Sequence, residues 1–236
     1  MKRLISSESV FEGHPDKVCD QISDAILDEI LEEDKNARVA VEVAIKSNQV
    51  YILGEVTTTA NVDYELVAKR VLLDIGYCQE FNIHCNLTEQ SPDIALGVDE
   101  RVNKTQGAGD QGMMYGYATN ETPELMPAPL VLAHKIAKEF KKLRTTKYFA
   151  LFRPDGKCQV TYIYENDKPV SIDTIIISAQ TTRHANMNIV RKVIIEEVLT
   201  PLVFDVEDIN VLINPTGEFI IGGPEADAGL TGRKII

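Results

Sequence analysis

The segment Glu12-Gly13-His14-Pro15-Asp16-Lys17 sets an imidazole, a carboxylate and an ammonium side by side. Pro15 suits the first position of a helix, where its missing N–H costs nothing. A helix N-terminus offers unpaired N–H groups and the positive end of the helix dipole, so this segment suits a phosphate. His14 falls at the cap and can donate a hydrogen bond to an oxygen that gains charge. Asp16 can hold a hard cation such as Mg²⁺, and Lys17 can reach a phosphate as a point charge. The same residues also read as plain helix capping, with Asp16 complementing the dipole.

Glu42 and Glu55 form a second candidate pair. Glu42 lies between Ala40 and Ala44, and Glu55 follows Gly54. A carboxylate among small residues is costly unless paired or liganded. A metal or ammonium partner is one reading and a solvated sheet face is the other. Gln106-Gly107-Ala108-Gly109-Asp110-Gln111-Gly112 packs three glycines around one carboxylate, which suits close backbone approach to a ligand or a flexible link. Its spacing is neither that of a dinucleotide fingerprint nor that of a Walker loop. Residues 222–234 combine glycines, Asp227 and the adjacent cations Arg233 and Lys234. Arg forks onto phosphate oxygens and Lys adds a compact charge, so this stretch points to a local polyphosphate site. Cys78, His84 and Cys85 lie close in sequence, but a zinc site there lacks a fourth ligand.

The elements that must position these groups follow from periodicity. Val18, Ile22, Ala25, Ile26 and Ile30 line one face of a helix over 15–33. Val39, Val41, Val43 and Ile45 alternate with polar or small residues. A second strand over 50–59 follows the Ser47-Asn48-Gln49 link, predicting an antiparallel hairpin. A helix over 63–75 stops at Gly76. From His84 to Gly112 the pattern disappears, as in a lid or link. Further helices are predicted from Pro127 to Leu143 and from Asn186 to Leu199. Arg153-Pro154-Asp155-Gly156-Lys157 reads as a turn. Strands are predicted at 158–165, 170–180, 210–213 and 219–221, and Gly229-Leu230-Thr231-Gly232 reads as a turn entering a strand in which the chain stops. Helix–strand–strand–helix therefore occurs twice. That order predicts an α+β fold of pseudo-symmetric strand–helix domains with largely antiparallel sheets.

The 236 residues carry 24 Lys and Arg against 36 Asp and Glu, a net charge of −12. Such acidity argues against a nucleic-acid binder. No stretch approaches the ~20 apolar residues of a spanning helix, and the first residues do not read as a signal peptide. With four dispersed cysteines, a cytoplasmic protein with reduced thiols is expected.

Taken together, 7–17 (Ser-Glu-Ser-Val-Phe-Glu-Gly-His-Pro-Asp-Lys), Gln90-Ser91-Pro92-Asp93-Ile94, Gly107-Ala108-Gly109-Asp110-Gln111-Gly112, Asn214-Pro215-Thr216-Gly217 and Gly229-Leu230-Thr231-Gly232-Arg233-Lys234 resemble the S-adenosylmethionine synthetase family in content and order. The resemblance implies a methionine adenosyltransferase. In that family the methionine sulfur attacks the ribose C5′ of ATP, and the expelled triphosphate is hydrolysed to phosphate and diphosphate. Mg²⁺ and K⁺ assist. It implies catalytic roles for His14, Lys157, Arg233 and Lys234, and ATP contacts from these and from Asp155, Phe219 and Asp227. It implies methionine contacts from Glu55, Gln90, Asp110 and Asp227, Mg²⁺ on Asp16, K⁺ on Glu42, and a lid from Gln90 to about Glu100. It further implies a homodimer or dimer of dimers with sites between subunits, and three similar domains. These fall here as 1–102, 103–222 and a truncated third unit at 223–236, the rest of the third domain missing.

The chemistry accounts for such a site. A thioether sulfur is already nucleophilic, so the difficulty lies in leaving-group charge, which fixed cations and N–H donors stabilise. Three departures from the family pattern stand out. Its second glycine-rich motif, with two lysines and an aspartate, is absent. Glu218 stands where many members carry Arg, and Ala226 replaces a usual Gly. The alternative expectation is a truncated, non-catalytic relative that binds polyphosphate or joins a complete partner subunit.

Overall fold

The computed structural model describes residues 2–91 and 112–234. In chain order the elements are β1 (Lys2–Val10), α1 (Pro15–Glu33), β2 (Arg38–Lys46), β3 (Gln49–Thr57), α2 (Tyr64–Ile75), β4 (Asn82–Thr88), α3 (Ala128–Thr146), β5 (Phe152–Glu165), β6 (Lys168–Thr181), α4 (Met187–Val193, continued by a π-helical turn at Ile194–Leu199), β7 (Asn210–Ile213) and β8 (Gly229–Leu230). They form two four-stranded sheets, in the orders β4-β3-β2-β8 and β1-β5-β6-β7. The α+β expectation holds. Four strand pairings are antiparallel, but β3–β4 and β6–β7 are parallel.

Helices α1 and α2 cover the first sheet. Val18, Ile22, Ile26 and Ile30 of α1 meet Val41, Val43 and Ile45 of β2 and Val67, Leu72 and Ile75 of α2 in one buried cluster. Each fully buried aliphatic side chain contributes roughly 1.5–3 kcal/mol, so this one helical stripe anchors α1 firmly. Asp63 caps α2 through the Leu66 amide and Gly76 ends it in the left-handed region. On the second sheet, Ile136 and Phe140 of α3 and Val190, Ile194 and Val198 of α4 and its π turn pack on Val160, Ile175 and Ile177. The two hairpins close through Ser47-Asn48 and through Asn166-Asp167, the latter pair both at positive φ.

Several expectations are corrected. Residues 2–10, for which the sequence predicts no element, form β1, which pairs along its whole length with β5. Part of the expected irregular stretch is β4, an edge strand in register with β3 from Asn82↔Gln49 to Thr88↔Glu55. Arg153 to Lys157 is not a hairpin turn. It lies within β5, where the register with β6 slips between Phe152 and Gly156. Phe219 to Ile221 is not a strand, although the Phe219 carbonyl accepts the Thr181 amide at 2.8 Å. At the C-terminal end the strand comes first, as β8 against β2, and the turn follows.

Each sheet thus takes one edge strand from elsewhere in the chain. The strand preceding α1 joins the second sheet, and β8 joins the first. Residues 112–119 precede α3 without regular structure, and their Met113, Met114, Tyr115 and Tyr117 are all exposed.

Candidate active site

Helix α1 starts where the sequence places it. His14 is the N-cap, and its Nδ1 accepts the Asp16 amide at 3.2 Å. The loop leading into it is pinned from several sides. The Phe11 amide donates to the Gly156 carbonyl at 2.9 Å and the Gly13 amide to the Pro154 carbonyl at 3.1 Å. The Glu12 carboxylate is buried against the Arg144 guanidinium and lies 2.5 Å from Lys141 Nζ. The bulge in β5 serves this purpose, since it turns the 154–156 backbone toward the start of α1.

Asp16 points inward, its side chain only 3% exposed. Lys234 Nζ lies 2.7 Å from one oxygen. The Leu230 amide donates to the other at 3.0 Å, and Arg233 lies 3.5 Å away. Burial alone would raise the pKa of this carboxyl. The Lys234 and Leu230 hydrogen bonds and the two cations outweigh it and hold the pKa below the usual aspartate value. Gly229 is needed for the approach of β8, because a Cβ there would fall 2.2 Å from the Pro15 carbonyl oxygen.

Asp155 is also buried. Its two oxygens accept the Gly156 and Gly223 amides, each at 2.7 Å. Burial nevertheless raises its pKa, against the pull of those two amides and of nearby His14. His14 moves the other way. Burial lowers its pKa and Lys234 adds to this, while Asp155, Asp16 and Asp227 oppose it. His14 is therefore held toward neutral imidazole, a hydrogen-bonding group in place of a fixed charge.

A cavity of about 350 Å³ opens beside these groups, lined by His14, Asp155, Lys157, Phe219 and Asp227. The sequence reading had singled out all five. It gave no role to Ser178, Asn214 and Thr216, which line the cavity too. Asn214 is buried at positive φ, and its amide group makes paired hydrogen bonds with the Ala179 backbone at 2.8 and 3.0 Å. It extends the β6 edge by imitating a strand residue. The only sequence signal for this was the Asn-Pro-Thr-Gly turn. A larger concavity of about 400 Å³ lies between α1 and α3 and contains none of the five residues.

The remaining candidates lie apart. Glu42 and Glu55 point from the exposed face of the first sheet, Glu42 taking a hydrogen bond from the Thr231 hydroxyl. Gln90 Oε1 accepts Arg38 Nε at 2.7 Å. Asp110 and its glycine loop, and the lid beyond Ser91, lie outside the described residues. Cys78 stands after α2, whereas His84 stacks on Tyr51 and hydrogen-bonds Gln49. Among the described residues no cluster of three or more His, Cys, Asp or Glu side chains could hold a metal. One buried, ionised carboxylate such as Asp16 does fit Mg²⁺ in the manner of phosphate sites, where substrate oxygens and water complete the shell.

The S-adenosylmethionine synthetase N-terminal domain matches residues 2–95, and the S-adenosylmethionine synthetase central domain matches residues 105–219. The chain belongs to the S-adenosylmethionine synthetase family. Among its relatives are S-adenosylmethionine synthases of Pseudothermotoga lettingae, 49% identical, and Nocardia farcinica and Clostridium tetani, each 46% identical. The chain is matched over 99–100% of its length but spans only 65–66% of theirs. The two matches cover every strand except β8, which with Asp227, Arg233 and Lys234 lies beyond residue 219.

Proposed function

We propose that this chain supplies the nucleotide-binding part of a methionine adenosyltransferase, which makes S-adenosylmethionine from ATP and L-methionine and releases phosphate and diphosphate. The observation that carries the reading is the convergence of His14, Asp16, Asp155, Asp227 and Lys234 on the start of α1, beside a cavity walled by Phe219. Phe219 offers a face for the adenine, and Lys157, Arg233 and Lys234 lie along the path of the triphosphate. His14, kept neutral by burial, donates to the O5′ oxygen as its bond to C5′ breaks. Asp16 would hold Mg²⁺, which supplies charge neutralisation to the phosphates. Lys234 would then exchange its contact with Asp16 for one with phosphate oxygen.

Glu42, Glu55, Tyr51, Leu53 and Leu230 share the outer face of the first sheet, and Tyr51, Leu53 and Leu230 are nearly half exposed there. Apolar side chains beside carboxylates on a flat face suit a second copy of the chain, as a homodimer or dimer of dimers. K⁺ at Glu42, and methionine at Glu55, Gln90 and Asp110, would then lie between subunits. We keep the division into 1–102, 103–222 and 223–236, with β1 of the first unit joining the sheet of the second and β8 of the third joining the sheet of the first. Among the described residues no helix is long and apolar enough to cross a membrane. The proposal of a cytoplasmic protein rests instead on the four dispersed cysteines.

The test is an assay of the chain, and of the chain extended by the C-terminal third of the Pseudothermotoga lettingae relative, with ATP, methionine, Mg²⁺ and K⁺. The extended protein is expected to release S-adenosylmethionine. A folded, extended protein that makes none refutes the reading.

A further inference from the structure

The site is built on two loops distant in sequence: residues 11–14, which aim His14, and residues 222–228, which carry Asp227. We propose that Tyr77 is a positioning residue that ties these two loops together. It stands directly after the Gly76 cap of α2 and is 9% exposed. Its hydroxyl donates to the Gly13 carbonyl at 2.5 Å. Gly223 passes so close that a Cβ there would lie 2.1 Å from the same hydroxyl oxygen, and its φ of +63° itself favours glycine. The Gly223 amide in turn donates to Asp155, which lines the cavity.

Gly13 has little freedom of its own. A Cβ on it would strike Pro154 at 2.3 Å, and its amide is held by the Pro154 carbonyl. Gly13 is therefore clamped on both sides, its amide on the β5 bulge and its carbonyl on the Tyr77 hydroxyl. Burial, reinforced by Asp155, raises the Tyr77 pKa, so the hydroxyl stays a donor through the physiological range. Removing the hydroxyl strands a buried carbonyl oxygen and frees Gly223 to move. The Tyr77 hydroxyl bonds the backbone of Gly13 and not a side chain assigned to substrate. It acts through the 13–14 peptide and through Gly223. That these loops hold phosphate rests on the proposed function, whereas the coupling between them does not.

The test uses the 236-residue chain and the Tyr77→Phe variant, with two readouts. The first is hydrogen exchange at the Gly13, His14, Gly223 and Ala226 amides. The second is calorimetry with tripolyphosphate. Tyr77→Phe is expected to speed exchange in both loops about ten-fold while amides in the β5–β6 ladder keep their rates, and to weaken tripolyphosphate three- to ten-fold, on the order of one hydrogen bond. Acceleration of one loop only, or of neither, overturns the proposal. A purely structural tyrosine would loosen the neighbouring ladder equally, which overturns it as well. If Tyr77→Phe does not fold, Gly223→Ala approaches from the other side. It keeps the tyrosine but drives its hydroxyl off Gly13, and unchanged exchange at Gly13 and His14 would overturn the clamp. If the parent chain binds no tripolyphosphate, the phosphate reading falls and the exchange comparison alone decides whether Tyr77 couples the loops.

Discussion

Asp16→Asn is the substitution whose effect can be worked out most fully. The asparagine carbonyl can still accept the Leu230 amide, but its NH₂ group then faces the Lys234 ammonium, donor against donor. The loss is one charge-assisted hydrogen bond of 2.7 Å and the weaker attraction to Arg233 at 3.5 Å. A hydrogen bond to a charged group contributes about 1.5–3 kcal/mol. The Lys234 side chain is 28% exposed, which keeps the value toward the lower end, and Arg233 is 56% exposed, so its share is below about 1 kcal/mol. The segment 229–234 is otherwise held by its short pairing with β2, by the Thr231 hydroxyl on Glu42 and by the Gly232 amide on Asp20. The loss should therefore appear as local opening. At roughly 1.4 kcal/mol per ten-fold, the Leu230 and Thr231 amides should exchange about ten- to a hundred-fold faster, measured at fixed pH by NMR. Because the folded pKa of Asp16 lies below its ordinary value of 3.8, its contribution is complete above that value and is lost as the pH falls through the folded pKa. Parent and variant should therefore converge in strong acid. Exchange at Leu230 and Thr231 that stays within two-fold at neutral pH would refute the argument.

Other expectations follow from the same geometry. Arg144→Ala leaves the buried Glu12 carboxylate with only Lys141, and should cost about 3 kcal/mol in urea unfolding; a loss under 1 kcal/mol would mean that the pair is not desolvated. His14→Ala in the extended protein should cut turnover far more than ATP affinity, because the imidazole acts on charge that grows only as the O5′ bond breaks; equal losses in both would contradict that role. Asp155 is raised by burial, so its neutral form favours the fold. The stability it lends is present at low pH and lost as the pH rises from 3.8 through the folded pKa, and Asp155→Asn should flatten this part of the pH–stability curve. Replacing exposed Tyr115 and Tyr117 with Lys should reduce self-association of the chain in sedimentation without lowering its melting temperature.

Local signals carried much of this architecture. Helix α1 was legible because Val18, Ile22, Ile26 and Ile30 repeat at helical spacing behind Pro15, and α2 because Asp63 and Gly76 mark its ends. The β2–β3 hairpin was legible from Val41, Val43 and Ile45. Strand β1 was not, because Ser6, Ser7, Glu8 and Ser9 are polar and its partner begins at Glu165, far along the chain. Strand β4 offers only Ile83 and Leu87 as alternating large apolar residues and depends on β3 for its ladder. Pro154-Asp155-Gly156 carries turn chemistry, but the chain uses it for a bulge that brings Asp155 to His14. Of the site, His14 and Asp16 could be read locally from helix-start chemistry. The roles proposed for Asp155 and Phe219 entered through the family resemblance, since both stand far from α1 in sequence and meet His14 only in the folded chain. Tyr77 gave no signal at all, because a tyrosine after a helix cap takes on meaning only when Gly13 and Gly223 are seen on either side of it.

The central claim is that the groups gathered at the start of α1 hold a nucleoside triphosphate. Calorimetric titration of the chain with a non-hydrolysable ATP analogue and Mg²⁺, alone and beside the intact Pseudothermotoga lettingae relative, tests it directly. Saturable binding that weakens at least ten-fold in Lys234→Ala, and weakens again when Mg²⁺ is removed, is the predicted result. No heat of binding in either setting, or binding indifferent to Lys234 and to the metal, would contradict it.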